Sequence, residues 1–406
     1  MSAWLAVVGL GEDGMEGLGA AARALIDAAE LLVGGERHLA LVPTPKAVRL
    51  PWKQPLSETV AQILEHRGRP VVVLASGDPL HYGVATLLAR QLKPAEMIVL
   101  PQASAFSLAA ARLLWPLEEC VCLSLHARPV EKLRLHLAPG ARIIALSTDG
   151  DTPVQVAELL RSEGWGASAI TVFARMGGAR ERRVEGTAEA WPLGRIAALN
   201  TIAIECRSGA RSRPRSRLAG LADDAFENDG QITKRVVRAA TLAALAPLPG
   251  ELLWDIGAGC GSIAIEWLRA ERGMAAIAVE RDAMRTAMIQ RNAAKLGVPE
   301  LRIVHGSAPA VLRDLPLPDA IFVGGGVSDN ALFEALWRAL KPGGRLVANA
   351  VTVEGEVQLA RWQSRAGGQL SRLSIAQAEP IGSYQGWRPL MTVTQLATAK
   401  AKDAGS

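Results

Sequence analysis

Short apolar runs alternate with segments of helical periodicity along the chain, which is the pattern of proteins that pack helices on sheets. Turn residues bound these runs, so each run predicts a buried strand. Before residue 206 the predicted strands are Trp4–Val8, Pro70–Ala75, Met97–Leu100, Cys120–Leu125, Arg142–Leu146, Ala169–Phe173 and Asn200–Glu205. After residue 250 they are Glu251–Ile256, Ala275–Glu280, Leu301–Val304, Ala320–Val323, Arg345–Ala350, Leu370–Gln377 and Pro389–Gln395. Each half of the chain is therefore predicted to hold its own sheet.

An arginine-rich segment separates the two halves. Residues 207–217 read RSGARSRPRSR, and their Ser, Gly and Pro content is typical of a solvated linker. A chain of 406 residues is also long enough for two domains. We therefore predict an N-terminal domain over residues 1–207, a linker over residues 208–220 and a C-terminal domain over residues 221–398.

Composition and charge narrow the class of protein. Hydrophobic residues make up 49% and charged residues 21%, as in globular proteins, and no run approaches the ~18 apolar residues of a membrane span. The N-terminus has no basic segment, so we predict no signal peptide and expect a cytoplasmic protein. None of the four cysteines forms a CxxC pair, so no metal site is predicted. The net charge of +5 fits a polyanionic ligand, either nucleic acid or a small molecule with many carboxylates.

The strongest local signal lies in the second half. The segment LLWDIGAGCGS ends a predicted strand in Asp255 and continues into a Gly-x-Gly-x-Gly turn at Gly257, Gly259 and Gly261. Glycines let a ligand approach the backbone, and the helix that follows offers N–H groups to a carboxylate. The next predicted strand ends in Glu280, where a carboxylate can accept hydrogen bonds from ribose hydroxyls. The spacing differs from the Gly-x-Gly-x-x-Gly of dinucleotide sites and favours S-adenosylmethionine over NAD.

Further motifs accompany the glycine turn. They are TKRVVR at 233–238, WDIGAGCGS at 254–262, VER at 279–281, GSAP at 306–309, PDA at 318–320, GG at 324–325 and KPGGRLVANA at 341–350. On these motifs the chain, from about residue 223 to residue 396, resembles the decarboxylating precorrin methylase domain. Val236 and Ser307 stand where that family usually has acids. The resemblance implies binding of S-adenosylmethionine by Thr233, Asp255, Gly257, Ala258, Gly259, Cys260, Gly261, Glu280, Ser307 and Ala308. Candidates for binding substrate carboxylates, or else simple surface charges on a helix, are Lys234, Arg235 and Arg238.

Two turns in the first half also follow predicted strands. The first, GLGEDG at 9–14, formally matches the dinucleotide pattern, but no acid ends the next apolar segment, LLV at 31–33. The second, SGDP at 76–79, exposes backbone at the carboxyl edge of the sheet, where open α/β sheets bind ligands. Asp78 and Pro79 also fit the cap and first position of a helix, and the two roles are compatible.

With GGERHL at 34–39, ASGDPLHYG at 75–83 and SLHAR at 124–128, this half resembles the tetrapyrrole methylase family, specifically its C-5 methylating branch. That fold holds the methyl donor between two α/β subdomains. The departures are Glu12, Asp13, Gln102 and Ala127, and we interpret His81 and His126 as structural residues in preference to acid–base catalysts. The resemblance implies donor binding by Gly9, Gly11, Gly77, Asp78, Ser104 and Ala105, with Asp78 also a candidate catalytic residue.

The two resemblances in this order imply a tetrapyrrole methylase fold followed by a Rossmann-like, seven-stranded methyltransferase domain. They imply methylation of precorrin-6Y, or its cobalt analogue, at C-5 by the first domain. The second domain would methylate C-15 and remove CO2 from the C-12 acetate, as part of cobalamin biosynthesis. S-adenosylmethionine is the implied cofactor and the tetrapyrrole the implied partner. A homo-oligomer is expected, with neither nucleic acid nor membrane as a partner.

Two other classes of function stay open. A nucleic-acid methyltransferase fits the positive net charge, although Val323–Gly326 stands where an aromatic-Pro tetrad such as NPPY is expected. A tetrapyrrole-binding carrier with an inactive site would bind the substrate but no S-adenosylmethionine. Salt-sensitive RNA binding would favour the first class, and titration with the donor would identify the second.

Overall fold

The computed structural model describes residues 3–43, 46–192 and 194–402. Its contacts divide the chain into two compact units. The N-terminal unit consists of Met1–Val130 and His136–Arg213, and the C-terminal unit consists of Glu131–Leu135 and Pro214–Ser406. Among the helices of these described ranges, none is long and apolar enough to cross a membrane.

The first sheet of the N-terminal unit is entirely parallel. Its strands are β1 (Leu5–Leu10), β2 (Leu31–Gly34), β3 (Val48–Pro51), β4 (Val71–Ser76) and β5 (Met97–Leu100). They lie in the order β3-β2-β4-β1-β5. β1 is buried along its whole length because side chains pack on both faces of the sheet, as is usual in parallel sheets. The helices here are α1 (Ala20–Asp27), α2 (Glu36–Leu41), α3 (Leu56–Glu65), α4 (Ala85–Leu88) and α5 (Ala105–Leu113).

The second sheet of this unit is mixed. Its strands are β6 (Cys120–Ser124), β7 (Arg142–Leu146), β8 (Ala169–Ala174), β9 (Arg182–Thr187) and β10 (Asn200–Glu205), and α6 spans Thr152–Ser162. The order is β6-β7-β10-β8-β9, with only β6 and β7 parallel. Helix α5 packs on this sheet through Phe106, Ala109 and Ala110. The unit therefore has two α/β layers, each with its own sheet.

The C-terminal unit is built on one seven-stranded sheet. Five parallel strands are β11 (Leu252–Ile256), β12 (Ala275–Glu280), β13 (Arg302–His305), β14 (Ala320–Val323) and β15 (Arg345–Ala350). β16 (Gln369–Leu373) and β19 (Val393–Ala399) complete it, and β17 (Ala376–Ile381) and β18 (Tyr384–Pro389) form a separate hairpin. The order is β13-β12-β11-β14-β15-β19-β16, with β19 antiparallel to both of its neighbours. Its helices are α7 (Arg235–Leu245), α8 (Ser262–Ala270), α9 (Ala283–Lys295), α10 (Asn330–Ala339) and α11 (Val353–Ala366).

Local sequence explains where several of these helices begin. Asp282 accepts hydrogen bonds from the first backbone N–H groups of α9, Asp329 does so for α10, and Thr352 does so for α11. Short 3-10 helices connect other elements, at Gly14–Gly17, Pro94–Glu96, Leu117–Glu119, Val130–His136, Asp223–Ala225 and Ala310–Leu312.

The two-domain α/β architecture predicted from the sequence is confirmed. The predicted strands as far as Arg345–Ala350 match observed strands to within a residue or two. The last two were less accurate: Leu370–Gln377 covers β16 and the start of β17, and Pro389–Gln395 begins before β19. The strands that were not predicted lie mostly at sheet edges or in the hairpin.

The predicted linker is hydrogen-bonded at both ends. Just before it, the Arg207 N–H donates to Ser168 Oγ at 3.1 Å, within the N-terminal unit. In the C-terminal unit the Arg217 guanidinium donates to the carbonyls of Arg269 and Ala270 at 2.9 and 3.2 Å. A domain boundary inside residues 208–220 stays a prediction.

Candidate active sites

The C-terminal unit holds a large open cavity over the carboxyl edge of its parallel strands. Its volume is about 1040 Å³. Ile256 ends β11, Glu280 ends β12 and Asn349 lies near the end of β15, and all three line it. The topology explains this position of the cavity. In a parallel sheet the carboxyl ends of all strands lie on the same side, and ligands bind in the crevice just outside them.

The Gly-x-Gly-x-Gly turn forms one wall of this cavity. Gly257, Gly259 and Gly261 have φ values of +70°, +61° and +80°, a region that L side chains rarely adopt. A Cβ on Gly257 would lie 2.8 Å from the backbone of Gly325. One on Gly259 would meet no described atom closer than 3.7 Å. Gly259 therefore has free space on the cavity side, which a ligand can use.

Glu280 connects the turn to the end of β12. One carboxylate oxygen, Oε2, accepts a hydrogen bond from the Gly259 N–H at 2.8 Å. The other, Oε1, accepts from the N–H groups of Arg281 and Asp282 at 2.9 and 3.1 Å. A carboxylate has about four acceptor positions, so one on Oε2 is left for a ligand hydroxyl.

Asp255 lies beneath the turn and does not line the cavity. It is 1% exposed, and its Oδ2 accepts a hydrogen bond from the Ala264 N–H at 3.0 Å. No described group bonds to Oδ1. Burial raises the pKa of Asp255 to about 7, and the nearby charge of Glu280 acts in the same direction. In this conformation Asp255 contacts the start of α8, and its predicted role in donor binding stays a prediction.

The cavity brings together most of the residues predicted for this site. Its lining includes Thr233, Lys234, Gly257, Ala258, Gly259, Cys260, Glu280, Ser307 and Ala308. Gly261 is not part of the lining; it is the residue directly before α8, and a Cβ there would lie 2.8 Å from Ile289. Arg235 is exposed outside the lining and donates to the Gly220 carbonyl at 2.8 Å.

The predicted role of Arg238 in substrate binding was wrong. We expected it to bind substrate, but it is 0% exposed. It pairs with Glu266 at 2.7 Å and Asp223 at 3.0 Å, and it also donates to the backbone carbonyls of Leu221 and Thr233. All of these acceptors lie inside the unit, so Arg238 ties α7 to α8 and has no surface to offer a substrate.

Sequence reasoning missed several polar residues that line the cavity, including two arginines and an asparagine. Arg281 and Arg285 lie just after β12 and at the start of α9. Asn349 is held by two buried side chains: it donates to Thr241 Oγ1 at 2.8 Å and accepts from Gln395 Nε2 at 2.9 Å. The position of Arg281 directly after Glu280 was a usable signal, whereas Thr241 and Gln395 are too distant in sequence for any local pattern.

The N-terminal unit has a smaller cleft at the carboxyl edge of its parallel sheet. Its cavity measures about 80 Å³, and Gly11, Gly77 and Ala105 line it. The end of β1 approaches the loop after β4 so closely that only glycine fits at position 9. A Cβ on Gly9 would lie 1.9 Å from the Gly77 carbonyl oxygen. Gly77 itself has a φ of +53° and lies against the backbone of Ser104. The predicted glycines thus meet at one edge.

Asp78 and Ser104 have structural roles in this conformation. Asp78 does not cap a helix, because the next helix begins at Ala85; its Oδ1 instead accepts from the Leu80 N–H at 2.9 Å within a turn. The helix-cap interpretation of Asp78 was therefore wrong. Ser104 caps α5 by accepting from the Ser107 N–H at 3.1 Å. Donor binding by either residue, and catalysis by Asp78, stay predictions.

The structure also shows the surroundings of residues in the N-terminal unit that the sequence analysis singled out. His81 stacks on the ring of Tyr82 and lies tilted against that of Phe106, with centroids 5.1 and 4.6 Å away, which fits a packing role. Ala127 stands where the tetrapyrrole methylase family has a glycine, and its φ of +52° is the left-handed conformation for which glycine is suited. The sequence did not reveal a charged cluster around Glu12, which contacts Arg37 and Arg175.

Comparison with known proteins assigns a family to each half. Residues 5–191 match the family of Tetrapyrrole (Corrin/Porphyrin) Methylases, and residues 224–400 match the Precorrin methyltransferase domain.

Curated relatives match nearly the whole chain. A Precorrin-6Y C(5,15)-methyltransferase [decarboxylating] from Sinorhizobium sp is 50% identical over 98% of this chain and 97% of its own length. Its counterpart from Mycobacterium tuberculosis (strain CDC 1551 / Oshkosh) is 44% identical over 97% of this chain and 99% of its own. A shorter relative, a probable cobalt-precorrin-6B C(15)-methyltransferase (decarboxylating) from Pyrobaculum aerophilum, is 31% identical over 43% of this chain and 92% of its own length. The chain belongs to the family of decarboxylating precorrin-6Y C(5,15)-methyltransferases.

Proposed function

We propose that the protein methylates precorrin-6Y, or its cobalt analogue, at C-5 and C-15 with S-adenosylmethionine, and that it removes CO2 from the C-12 acetate. The observation that carries this proposal is the presence of a glycine-lined cleft at the carboxyl edge of a parallel sheet in each unit. Two separate clefts suit two methyl transfers. The names of the full-length relatives support the substrate and both positions.

The C-terminal cavity has the features that S-adenosylmethionine needs. This cofactor supplies an electrophilic methyl group bound to a sulfonium. Glu280 has an acceptor position left for a ribose hydroxyl, and the open space beside Gly259 admits the ligand close to the backbone. Thr233, Ser307 and Ala308 complete the proposed donor site.

Lys234 and Arg281 are the proposed contacts for substrate carboxylates in the C-terminal unit. Both are exposed and line the cavity, and no described residue accepts a hydrogen bond from either side chain. Arg285 also lines the cavity, but its guanidinium is already held by Asp229 and Gln231 at 2.9 and 2.8 Å. Two unpaired cations at the rim suit a tetrapyrrole that carries several carboxylates.

We place the decarboxylation in the C-terminal unit. When CO2 leaves an acetate that is conjugated with the ring, the electron pair of the broken bond moves into the ring towards C-15, which then becomes the nucleophile. The enzyme's main contribution is to align the carbon, the methyl group and the sulfur. The shorter relative supports this assignment, because its name combines C-15 methylation with decarboxylation and does not mention C-5.

The experiment is mass spectrometry of the product formed from precorrin-6Y and isotopically labelled donor. The wild-type protein should add two labelled methyl groups and release CO2. Glu280→Ala should weaken donor binding in the C-terminal cavity about ten- to a hundredfold, the cost of losing a charge-assisted hydrogen bond, and should accumulate a product with one new methyl group. Glu354→Ala removes an exposed carboxylate of the same unit and should behave as wild type.

Whether the Glu280→Ala product still carries the C-12 acetate carboxylate shows if decarboxylation is coupled to methyl transfer. If decarboxylation needs only substrate, the singly methylated product will already lack the carboxylate; if it is coupled to methyl transfer, the carboxylate will remain. Normal release of CO2 by a protein without residues 221–396 would contradict the assignment to the C-terminal unit. Failure of the wild-type protein to methylate precorrin-6Y would contradict the proposed function itself.

A further inference from the structure

A charged cluster lines the cleft of the N-terminal unit. We call it the Glu12 cluster; it consists of Glu12, Arg37, His38, Ser76 and Arg175. Glu12, Arg37, Ser76 and Arg175 line the cavity beside Gly11 and Gly77. Arg37 follows β2 of the first sheet and Arg175 follows β8 of the second. The cluster therefore brings groups from both sheets of the unit to the same small cavity.

Arg37 is fixed in position by three partners. Its guanidinium pairs with Glu12 Oε1 and donates to Ser76 Oγ at 2.9 Å and to His38 Nε2 at 2.8 Å. The Glu12 side chain is only 11% exposed, which strengthens this ion pair relative to one at the surface. Arg37 is thus held in one orientation, and its side chain remains 33% exposed on the cavity.

His38 contributes no charge. Burial and the charge of Arg37 lower the pKa of His38 to about 4, so its ring is neutral near pH 7. A neutral Nε2 has one lone pair, which can accept a hydrogen bond either from Arg37 or from the Ser76 hydroxyl 2.9 Å away. The ionised groups of the cluster are then two arginines and one carboxylate, with a net charge of 2 − 1 = +1.

Arg175 carries the unbalanced charge. Its guanidinium lies 3.9 Å from Glu12 Oε2, which is an ion pair but too long for a hydrogen bond. No described residue accepts a hydrogen bond from this guanidinium, and the side chain is 34% exposed. The backbone of Arg175 has a φ of +53° and is held by a hydrogen bond from its N–H to the Leu199 carbonyl at 3.0 Å. A residue kept in this costly conformation, with its donors unused, is suited to bind a ligand.

We propose that Arg37 and Arg175 form a carboxylate-binding site in the N-terminal cleft, with Glu12 as the residue that positions both guanidinium groups. The inference rests on the proposed function, because it names what that cleft binds. A guanidinium presents a planar fork of donors that matches a carboxylate, and a second guanidinium can bind the same anion from the other sheet. The carboxylate can come from a side chain of the tetrapyrrole or from the amino-acid end of the methyl donor.

Arg175→Gln tests the site, with Arg180→Gln as the matched control. Arg180 is an exposed arginine five residues along the same loop and is not part of the lining. Two quantities are measured: the KM for precorrin-6Y in C-5 methylation, and the affinity of the N-terminal cleft for S-adenosylhomocysteine. The affinity is measured in the Glu280→Ala background, so that the other donor site contributes little to the signal.

Loss of one charge-assisted contact at a partly exposed site should change one of these quantities about tenfold. A rise in KM with unchanged affinity identifies a carboxylate of the tetrapyrrole, and a loss of affinity identifies the carboxylate of the donor. Arg175→Lys, which keeps the charge without the fork, should recover part of the loss. If both quantities in Arg175→Gln stay within twofold of those in Arg180→Gln, the proposal is overturned.

The same chain reports whether folding or the proposed function has failed instead. Urea unfolding of the Arg175→Gln protein should match that of Arg180→Gln, which shows that the N-terminal unit is folded, and C-15 methylation should equal that of wild type. If the wild-type protein transfers no methyl group to precorrin-6Y, the proposed function fails. The site is then judged by the binding of S-adenosylhomocysteine and of a porphyrin octacarboxylate to Arg175→Gln and Arg180→Gln; equal binding of both probes by the two variants overturns it.

Discussion

At the scale of single residues, burial decides what a charged side chain can do. Lys234 and Arg238 lie four residues apart at the start of α7, yet Lys234 lines the cavity while Arg238 is buried among partners. Helical periodicity contained this information, since Arg238 shares a helix face with Leu242 and Leu245, which are also buried. The partner carboxylate Glu266 lies on another helix, and no local pattern predicts it.

The buried carboxyl group of Asp255 predicts that the free energy of unfolding depends on pH. Its pKa in the folded protein, about 7, lies above the ordinary value of 3.8, so the unfolded chain loses this proton first as the pH rises. The folded state therefore loses stability relative to the unfolded state between about pH 4 and pH 7, and the loss is complete above pH 7. Asp255→Asn removes the ionisable group and keeps an oxygen that can accept from the Ala264 N–H.

We expect the free energy of unfolding of Asp255→Asn, relative to wild type, to rise by ~4 kcal/mol at most between pH 4 and pH 7 and to stay constant at higher pH. Urea unfolding at a series of pH values measures this difference. Asp314→Asn, an exposed change in the same unit, should show no such trend. A difference for Asp255→Asn that does not vary with pH would show that this carboxyl titrates normally.

At the scale of elements, two separate constraints act on the glycine turn after β11. One is a left-handed backbone conformation, and the other is the close approach of neighbouring atoms. Gly257 and Gly259 both adopt left-handed backbone, which costs other residues about 1–2 kcal/mol. Only Gly257 is also crowded by protein atoms, at 2.8 Å from Gly325, whereas Gly259 faces open cavity. The spacing of the glycines indicated a ligand turn, but only the fold distinguishes the glycine that faces the backbone from the one that faces the ligand.

Alanine substitutions should separate the cost of the backbone conformation from the loss of space for the ligand. Gly259→Ala should cost about 1–2 kcal/mol of stability and lower the affinity of the C-terminal cavity for S-adenosylhomocysteine at least tenfold, because the added methyl group occupies ligand space. Gly250→Ala, at a φ of +87° with nothing within 4 Å, should cost the same stability and leave binding unchanged. Gly257→Ala should destabilise more than either. Calorimetry and urea unfolding provide both readouts, and unchanged donor binding by Gly259→Ala would remove the turn from the proposed donor site.

Edge strands show a weaker hydrophobic pattern than central strands do. Central strands such as β1 and β14 are continuous apolar runs because both faces are covered, so their pattern alone predicted them. β9 reads RRVEGT and lies at a sheet edge, and β17 and β18 are mostly exposed. Strands like these gain their conformation from pairing with a neighbour, which a hydrophobic pattern does not record.

At the scale of the whole molecule, the contacts around residue 213 predict where the chain can be divided. Residues up to Arg213 group with the N-terminal unit except 131–135, which group with the segment from Pro214 in the C-terminal unit. We expect cleavage at a protease site inserted between Arg213 and Pro214 to give two soluble pieces, of which the N-terminal one retains residues 131–135. Each should bind one equivalent of S-adenosylhomocysteine, and the intact chain should bind two.

Calorimetry on the intact and the cleaved protein checks this expectation. A chain cleaved within Lys341–Arg345, inside the C-terminal unit, serves as the control and should lose binding there, because this turn connects helix α10 to strand β15 of the central sheet. Aggregation of both pieces after cleavage at residue 213 would place the boundary elsewhere. A single binding site in the intact chain would leave the N-terminal cleft without a donor.

The position of β19 has a consequence for the order in which the protein forms during synthesis. β19 lies between β15 and β16, although it follows both in the chain. Until residues 393–399 leave the ribosome, β15 presents an unpaired edge and β16 has no partner in its sheet. The N-terminal unit has all of its strands by residue 205 and can fold long before this. The nascent C-terminal unit, by contrast, carries this open sheet edge from the synthesis of β15 until that of β19, a period in which pairing with other chains is a hazard.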